Sequence, residues 1–388
     1  MKENGKYRFL QGGYWMLFCT SYGYVTYYLM GAGYTSGQIG VLTALFCTLA
    51  ALLQPVIGRL ADRGGRFGWK PLLQGLSLGC LALDVGILFC TNRLVMGLLY
   101  GACMMLISSM MPLVNAVSFY YRRRGARVDF GTARGTGSLS YAVLSLLLGR
   151  LTVLWGALVV PLAGIGMSCA FFAIVCWLPY RAEEPHAQRT EPQETAAAPA
   201  GGVFFARYPV FTLMLAGSVL VLSFHNITNT YLYQMLAGVG GNSGSLGTAL
   251  AVAALAEIPV MFGFSRLIGR FRAAGLLFVS GCAFAAKAAL FLAAGSVWAI
   301  YAVELLQMPS FALFASASVY YAEHCMAPRD KVTGQAFMTS TITAGSVMGN
   351  LLGGWVLDRG GVQGMLALAL ALALAGAAVM GIAAKKSA

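Results

Sequence analysis

The chain has 388 residues, 59% of them apolar and only 10% charged, with a formal net charge of +13. Its mean hydropathy of +0.73 leaves too little polar surface for a soluble globule. The positive charge alternates with apolar segments instead of collecting in one patch, which argues against nucleic acid as a partner.

An α-helix needs about 20 apolar residues to cross a hydrocarbon core of roughly 30 Å. Twelve segments of that kind are predicted, near 8–32, 36–59, 71–91, 94–120, 131–155, 157–180, 205–237, 245–265, 273–294, 297–322, 333–356 and 363–384. The first is too long and aromatic for a signal peptide. Lys and Arg fall in alternate connections: Lys2, Lys6 and Arg8; Arg59 to Lys70; Arg122 to Arg124 and Arg127; Arg181, Arg189 and Arg207; Arg266, Arg270 and Arg272; Arg329 and Lys331; Lys385 and Lys386. The intervening connections hold essentially Arg93 and Arg359. The positive-inside rule therefore places both termini and the central loop in the cytoplasm, with the chain multi-pass in a plasma (inner) membrane. The expected fold is an all-α membrane protein.

Segment 181–203, with Glu183, Glu184, Glu191 and Glu194 among Pro and Ala, is polar and of low complexity. It divides an N-terminal bundle (1–180) from a C-terminal one (205–388) through a cytoplasmic loop at 181–204. Motifs recur across it in the same helix order. Ser36-Gly-Gln-Ile-Gly40 echoes Ser243-Gly-Ser-Leu-Gly247, Gly79-Cys80 echoes Gly281-Cys282, and Ser118-Phe-Tyr-Tyr121 echoes Ser318-Val-Tyr-Tyr321. Two parallel six-helix halves with a site between them near the midplane follow from such a repeat. The nine cysteines show no metal-ligand spacing and read as packing residues. No cofactor or metal is expected.

Gly58-Arg-Leu-Ala-Asp-Arg-Gly-Gly-Arg-Phe-Gly-Trp-Lys70, between the second and third segments, resembles the loop between helices 2 and 3 of major facilitator superfamily transporters. Gly58, Leu60, Asp62, Arg63, Gly65 and Arg66 fall on that pattern. The resemblance implies a conformational gate in which Asp62 caps a neighbouring helix and pairs with basic residues. In the second half Gly269 stands where Asp62 stood, so that copy is weaker. Phe130-Gly-Thr-Ala-Arg-Gly-Thr-Gly-Ser138 and Ala256-Glu-Ile-Pro-Val-Met261 are similar to the lactose permease and phenylpropionate permease branch. In that branch the Arg aligned with Arg134 binds substrate and pairs with a fourth-helix acid. Here Ala116 and Asn115 occupy the acid's place. Arg134 is thus expected without a counter-ion, free to take a carboxylate or phosphate through its planar fork; the alternative is that it lies shallow enough to snorkel to cytosolic headgroups.

An ionisable residue inside a span is a functional candidate by default, since its insertion costs at least about 2.5–3.5 kcal/mol. Glu257, half-way along the eighth segment beside Pro259, is the candidate for proton coupling. Its structural alternative is a partnership with Lys287 or Glu304. Those two lean toward pairing, and Asp84 and Arg150 are expected near helix ends, satisfied by a pair or by interfacial water. Where the resembled branch handles protons with a His and a Glu in the tenth helix, this chain has Gln307 and Ser310. Candidate substrate-binding residues are Arg134, Asn115 and Gln307, with Tyr24, Tyr27 and Tyr28 in the first segment and His225, Asn226 and Asn229 in the seventh. Rings with a polar edge suit sugars, nucleosides or aromatic acids. For His225 a packing role, and for the tyrosines an interfacial belt, are the alternatives.

The expected function is secondary active transport of a small organic solute, an organic anion or aromatic acid or a sugar, coupled to protons and working as a monomer. A non-transporting receptor or scaffold, or an efflux carrier of the same fold, is the alternative. The chain has no P-loop for ATP, and its buried ionisable residues are scattered one per helix instead of clustered for catalysis.

Overall fold

The computed structural model describes residues 3–64, 67–180 and 201–387, with the side chains at 201–203, 265, 329 and 332 left out. Lys2, Gly65, Arg66, Arg181, Arg189, Glu183, Glu184, Glu191 and Glu194 lie outside the described residues.

Among the described residues the secondary structure is helical throughout. The first half comprises α1 (Glu3–Phe18), α2 (Val25–Gly31), α3 (Ser36–Asp62), α4 (Trp69–Phe89), α5 (Arg93–Arg123), α6 (Phe130–Trp155) and α7 (Val159–Trp177). The second comprises α8 (Gly201–Arg207), α9 (Pro209–Thr230), α10 (Leu232–Gly238), α11 (Ser243–Ile268), α12 (Ala273–Ala293), α13 (Val297–Glu304), α14 (Leu313–Cys325) and α15 (Lys331–Lys386). Ten of the described helical segments are long and apolar enough to cross a membrane. The sequence-based count of twelve differs for two physical reasons. Asn4, Lys6, Arg8 and Gln11 dilute the apolar character of α1, which also breaks at Cys19–Gly23 before α2. The last two segments run together through α15, which bends at Gly361, where φ is +63°. That conformation favours glycine, so the bend is local and chemically specified.

The halves echo each other down to their irregularities. The first transmembrane path of each is broken before a tyrosine: Tyr24 precedes α2 and Tyr231 precedes α10, with similar backbone angles (φ −118° and −103°). Both repeated Ser-Gly motifs start a helix behind a capping box, Thr35 before α3 and Asn242 before α11. Each tyrosine then closes a crossing between halves. Tyr24 donates to the Ser145 carbonyl (2.8 Å), where α6 packs along α11 so closely that a side chain at Gly247 would meet the Tyr24 hydroxyl at 2.8 Å. Tyr231 donates to the Asn350 carbonyl (2.8 Å) where α3 crosses α15, and a side chain at Gly40 would meet its hydroxyl at 2.6 Å.

Asp358, on α15, fastens the second crossing. Its carboxylate accepts the Ser36 N–H at 2.9 Å and the Gly37 N–H at 2.7 Å. These are first-turn amides of α3 that have no partner within their own helix, and the helix dipole favours an anion there. Asp62 ends α3 at its other terminus and is exposed, with Arg63 as the cap of the helix. Asp358→Ala should weaken the closed crossing by roughly 1–2 kcal/mol, about two charge-assisted bonds less their exposure to solvent. Spin labels at Val41 and Trp355 should accordingly show a larger fraction of separated distances than in the parent. An unchanged distribution would leave Asp358 without a gating role.

Candidate transport site

Asp129 caps α6 by accepting the Gly131 N–H (3.0 Å) and Thr132 N–H (3.4 Å), and Arg134 follows in the next turn. Its guanidinium lies over the Trp15 ring of α1, 3.8 Å from the centroid, and Nη1 donates to Ser138 Oγ at 2.8 Å. Across the boundary between halves, Nη2 is 3.8 Å from Glu257 Oε2 on α11. The expectation that Arg134 lacks a counter-ion is therefore corrected. The acid comes from the opposite half, and no inspection of the fourth helix could reveal it.

Glu257 lies two residues before Pro259, whose missing N–H interrupts the α11 hydrogen-bond ladder. Its other oxygen, Oε1, accepts from Gln307 Nε2 at 3.2 Å. Gln307 ends a tightened turn, Leu305–Gln307, that leads into a widened one, Met308–Ala312, between α13 and α14. Such departures from α geometry recur at functional positions. Gln307 Oε1 in turn accepts from Lys287 Nζ at 2.7 Å, and Lys287 Nζ is 2.8 Å from Glu304 Oε2. The side chains of this second pair are 1% and 2% exposed, against 18% and 11% for Arg134 and Glu257. Lys287 and Glu304 thus partner each other, leaving Glu257 for Arg134. The two cations and two carboxylates balance.

On the first-half side the network continues through α1. Trp15 Nε1 donates to Gln11 Oε1 (3.2 Å), and Gln11 Nε2 donates to Asn115 Oδ1 (3.1 Å) and to the Tyr7 hydroxyl (2.8 Å). Trp15, Gln11 and Ser138 were not picked out from the sequence, although the four-residue spacing of Gln11 and Trp15 on one helical face was a readable signal.

The remaining candidates divide. His225 stacks on Phe311, with centroids 4.2 Å apart and planes at 8°, and faces Asn229 Nδ2 at 2.8 Å from Nε2. It is 6% exposed, consistent with the packing alternative. Asn226 spends its amide on the Leu222 carbonyl (2.8 Å), one turn back. Tyr24, Tyr27 and Tyr28 stand apart from Arg134 and Glu257. Tyr24 is fully buried at the α6–α11 crossing, Tyr27 meets Tyr233 edge-on at 5.1 Å, and Tyr28 stacks on Tyr100 at 5.4 Å. Their hydroxyls go to Ser145, Thr152 and Met96, so in this conformation they hold helices together instead of facing a ligand. Nearer the network, Phe18 and Tyr22 stack in parallel at 4.2 Å, and the Tyr22 hydroxyl meets Ser108 Oγ at 2.6 Å. Asp84 is buried instead of interfacial. Cys103 Sγ lies 3.7 Å and Ser168 Oγ 3.5 Å from its oxygens, while Arg150 is exposed.

Comparison with known proteins agrees with this architecture. The chain is 24% identical over 334 residues to the uncharacterized transporter YwbF of Bacillus subtilis (strain 168), covering 84% of this chain and 78% of that one. It is 26% identical over 346 residues to a maltose permease of Geobacillus stearothermophilus, covering 86% and 82%. The crystal structure of the nucleoside transporter NupG superposes with a TM-score of 0.80 over 99% of this chain and 98% of that one, at 15% identity. The family profile described as MFS_1-like matches residues 7–366. The chain belongs to the MFS_1-like family, and it is a multi-pass membrane transporter of the major facilitator type.

Proposed function

We propose that this transporter moves a small, uncharged, ring-bearing polar solute together with a proton, by alternating access. The observation that carries the reading is the Arg134–Glu257 pair, which spans the two halves at 3.8 Å beside the Trp15 ring. A proton arriving on Glu257 cancels one member of the pair. That frees the guanidinium fork and an acidic O–H for solute hydroxyls or ring nitrogens, so loading of proton and solute are linked. Arg134 has a fixed counter-ion in Glu257, so the unpaired arginine that pointed to an organic anion is absent from the site. The stacked Phe18–Tyr22 pair, next to Trp15, offers flat apolar surface nearby. A maltose permease and a nucleoside transporter among the similar proteins support the same class. The alternating basic connections support an inner-membrane orientation with both termini cytoplasmic. Asp62, Arg63, Gly58, Gly65 and Arg66 are proposed as the gate on that side, and a monomer with halves at 1–180 and 205–388 as the working unit.

Proteoliposomes with an imposed inward proton gradient test this directly with labelled maltose, uridine and phenylpropionate. Accumulation of maltose or uridine that collapses with a protonophore is expected. Accumulation of phenylpropionate alone would overturn the neutral-solute reading. Binding without flux of any solute would return the chain to the receptor class.

A further inference from the structure

We infer that Gln307 is a positioning residue for proton coupling, and that the buried Lys287–Glu304 pair acts through it to present a fixed hydrogen-bond donor to Glu257. The inference rests on Glu257 being the proton-carrying group.

The geometry permits one orientation of the amide. An ammonium group donates and never accepts. Lys287 Nζ lies 2.7 Å from one end of the Gln307 amide, so that end must be the carbonyl oxygen. Turning the amide over would set its NH2 against the ammonium. The NH2 therefore faces Glu257 Oε1 at 3.2 Å. Glu304, 2.8 Å from the same ammonium, cancels the charge of Lys287. The pair thus orients Gln307 without placing a net charge beside Glu257. Neutral replacement of such a buried pair is often tolerated or stabilising, so fold stability alone gives it no special warrant. Orientation of Gln307 does.

The arrangement also says where the proton goes. The carbonyl oxygen of a carboxylic acid is a better acceptor than its hydroxyl oxygen, so the Gln307 N–H on Oε1 favours the added proton on Oε2, the oxygen turned toward Arg134 and the boundary between halves. Protonation is thereby delivered to the atom that makes the inter-half contact. The charged or titratable groups facing this cluster are Arg134 and Tyr141 from α6, Tyr14 from α1, Lys287 from α12, Glu304 from α13 and His225 from α9. Trp15 from α1 and Ser138 from α6 are the uncharged ones beside Arg134.

The test is the pH profile of counterflow and of accumulation in proteoliposomes containing the full chain, with maltose and uridine as probes. Gln307→Met keeps the length of the side chain and removes the donor. Without that donor the carboxylate is less favoured, so the profile should move by at least about half a pH unit toward alkaline pH, with counterflow retained at acid pH. Lys287→Met/Glu304→Gln removes the orienting pair without stranding a charge and should move the profile in the same direction, by less. Adding Gln307→Met to that double variant should move it no further than Gln307→Met alone, because all three changes act through one hydrogen bond. A parental profile in Gln307→Met, or shifts that simply add, would overturn the positioning role. Should Gln307→Met fail to give monodisperse protein, a parental profile in the Lys287→Met/Glu304→Gln variant would do so. Glu257→Gln separates the two ideas. If it abolishes the pH dependence while Gln307→Met leaves the profile unmoved, only the positioning role fails. If Glu257→Gln keeps the parental profile, the proton-carrying reading fails and takes this inference with it.

Discussion

Glu257→Gln should bring proton-driven accumulation down at least about tenfold, to simple equilibration, while counterflow of the same solute proceeds within a few-fold of the parent. The amide keeps the shape of the carboxyl group and still offers an oxygen to Gln307 Nε2. It cannot titrate, and it removes the charge opposite Arg134. The variant therefore resembles the permanently protonated carrier, able to bind and exchange solute and unable to draw on a proton gradient. The comparison of uphill uptake with counterflow in the same vesicles is the decisive measurement. Uphill accumulation at the parental level would make Glu257 a structural residue and leave the inter-half ion pair as a packing feature.

Arg134 should be the second large effect, and its pattern discriminates solute classes. Arg134→Lys keeps the charge and loses both the planar fork and the flat stack on Trp15, a contact worth about 0.5–2 kcal/mol. Binding should weaken about tenfold. Arg134→Gln should be worse, because it leaves Glu257, 11% exposed, without its counter-charge. Leaving one member of a partly buried pair alone costs about 1–3 kcal/mol in such settings. For a neutral solute, adding Glu257→Gln to Arg134→Gln should restore binding toward the Arg134→Lys level, since no charge is then stranded. For an anionic solute the double variant should stay as poor as Arg134→Gln, because the attraction itself is gone. Isothermal titration of the parent and the three variants with each probe reads the difference.

The sequence by itself determined the class of molecule and its internal repeat. Both are local properties: hydropathy over some 20 residues, charge in the connections, and recurring short motifs such as Ser36–Gly40 and Ser243–Gly247, which the structure shows starting α3 and α11 behind matched capping boxes. The choice of Glu257 and Arg134 as candidates was likewise legible, because a charge inside an apolar run is conspicuous wherever it points. Which charges meet was decided by tertiary structure. Arg134 looked unpaired while its partner was sought on its own half, and Lys287 and Glu304 were equal suitors for Glu257. Partnership depends on the rotational phase of each helix and on how the halves dock, and small departures from regular geometry set that phase. The breaks before Tyr24 and Tyr231 turn those tyrosines into the crossings, and the altered turns at Leu305–Ala312 aim Gln307 at Glu257. No single helical window contains that information, because it arises from packing between separate helices, 50 residues apart in the chain for Gln307 and Glu257 and more than a hundred for Arg134 and Glu257.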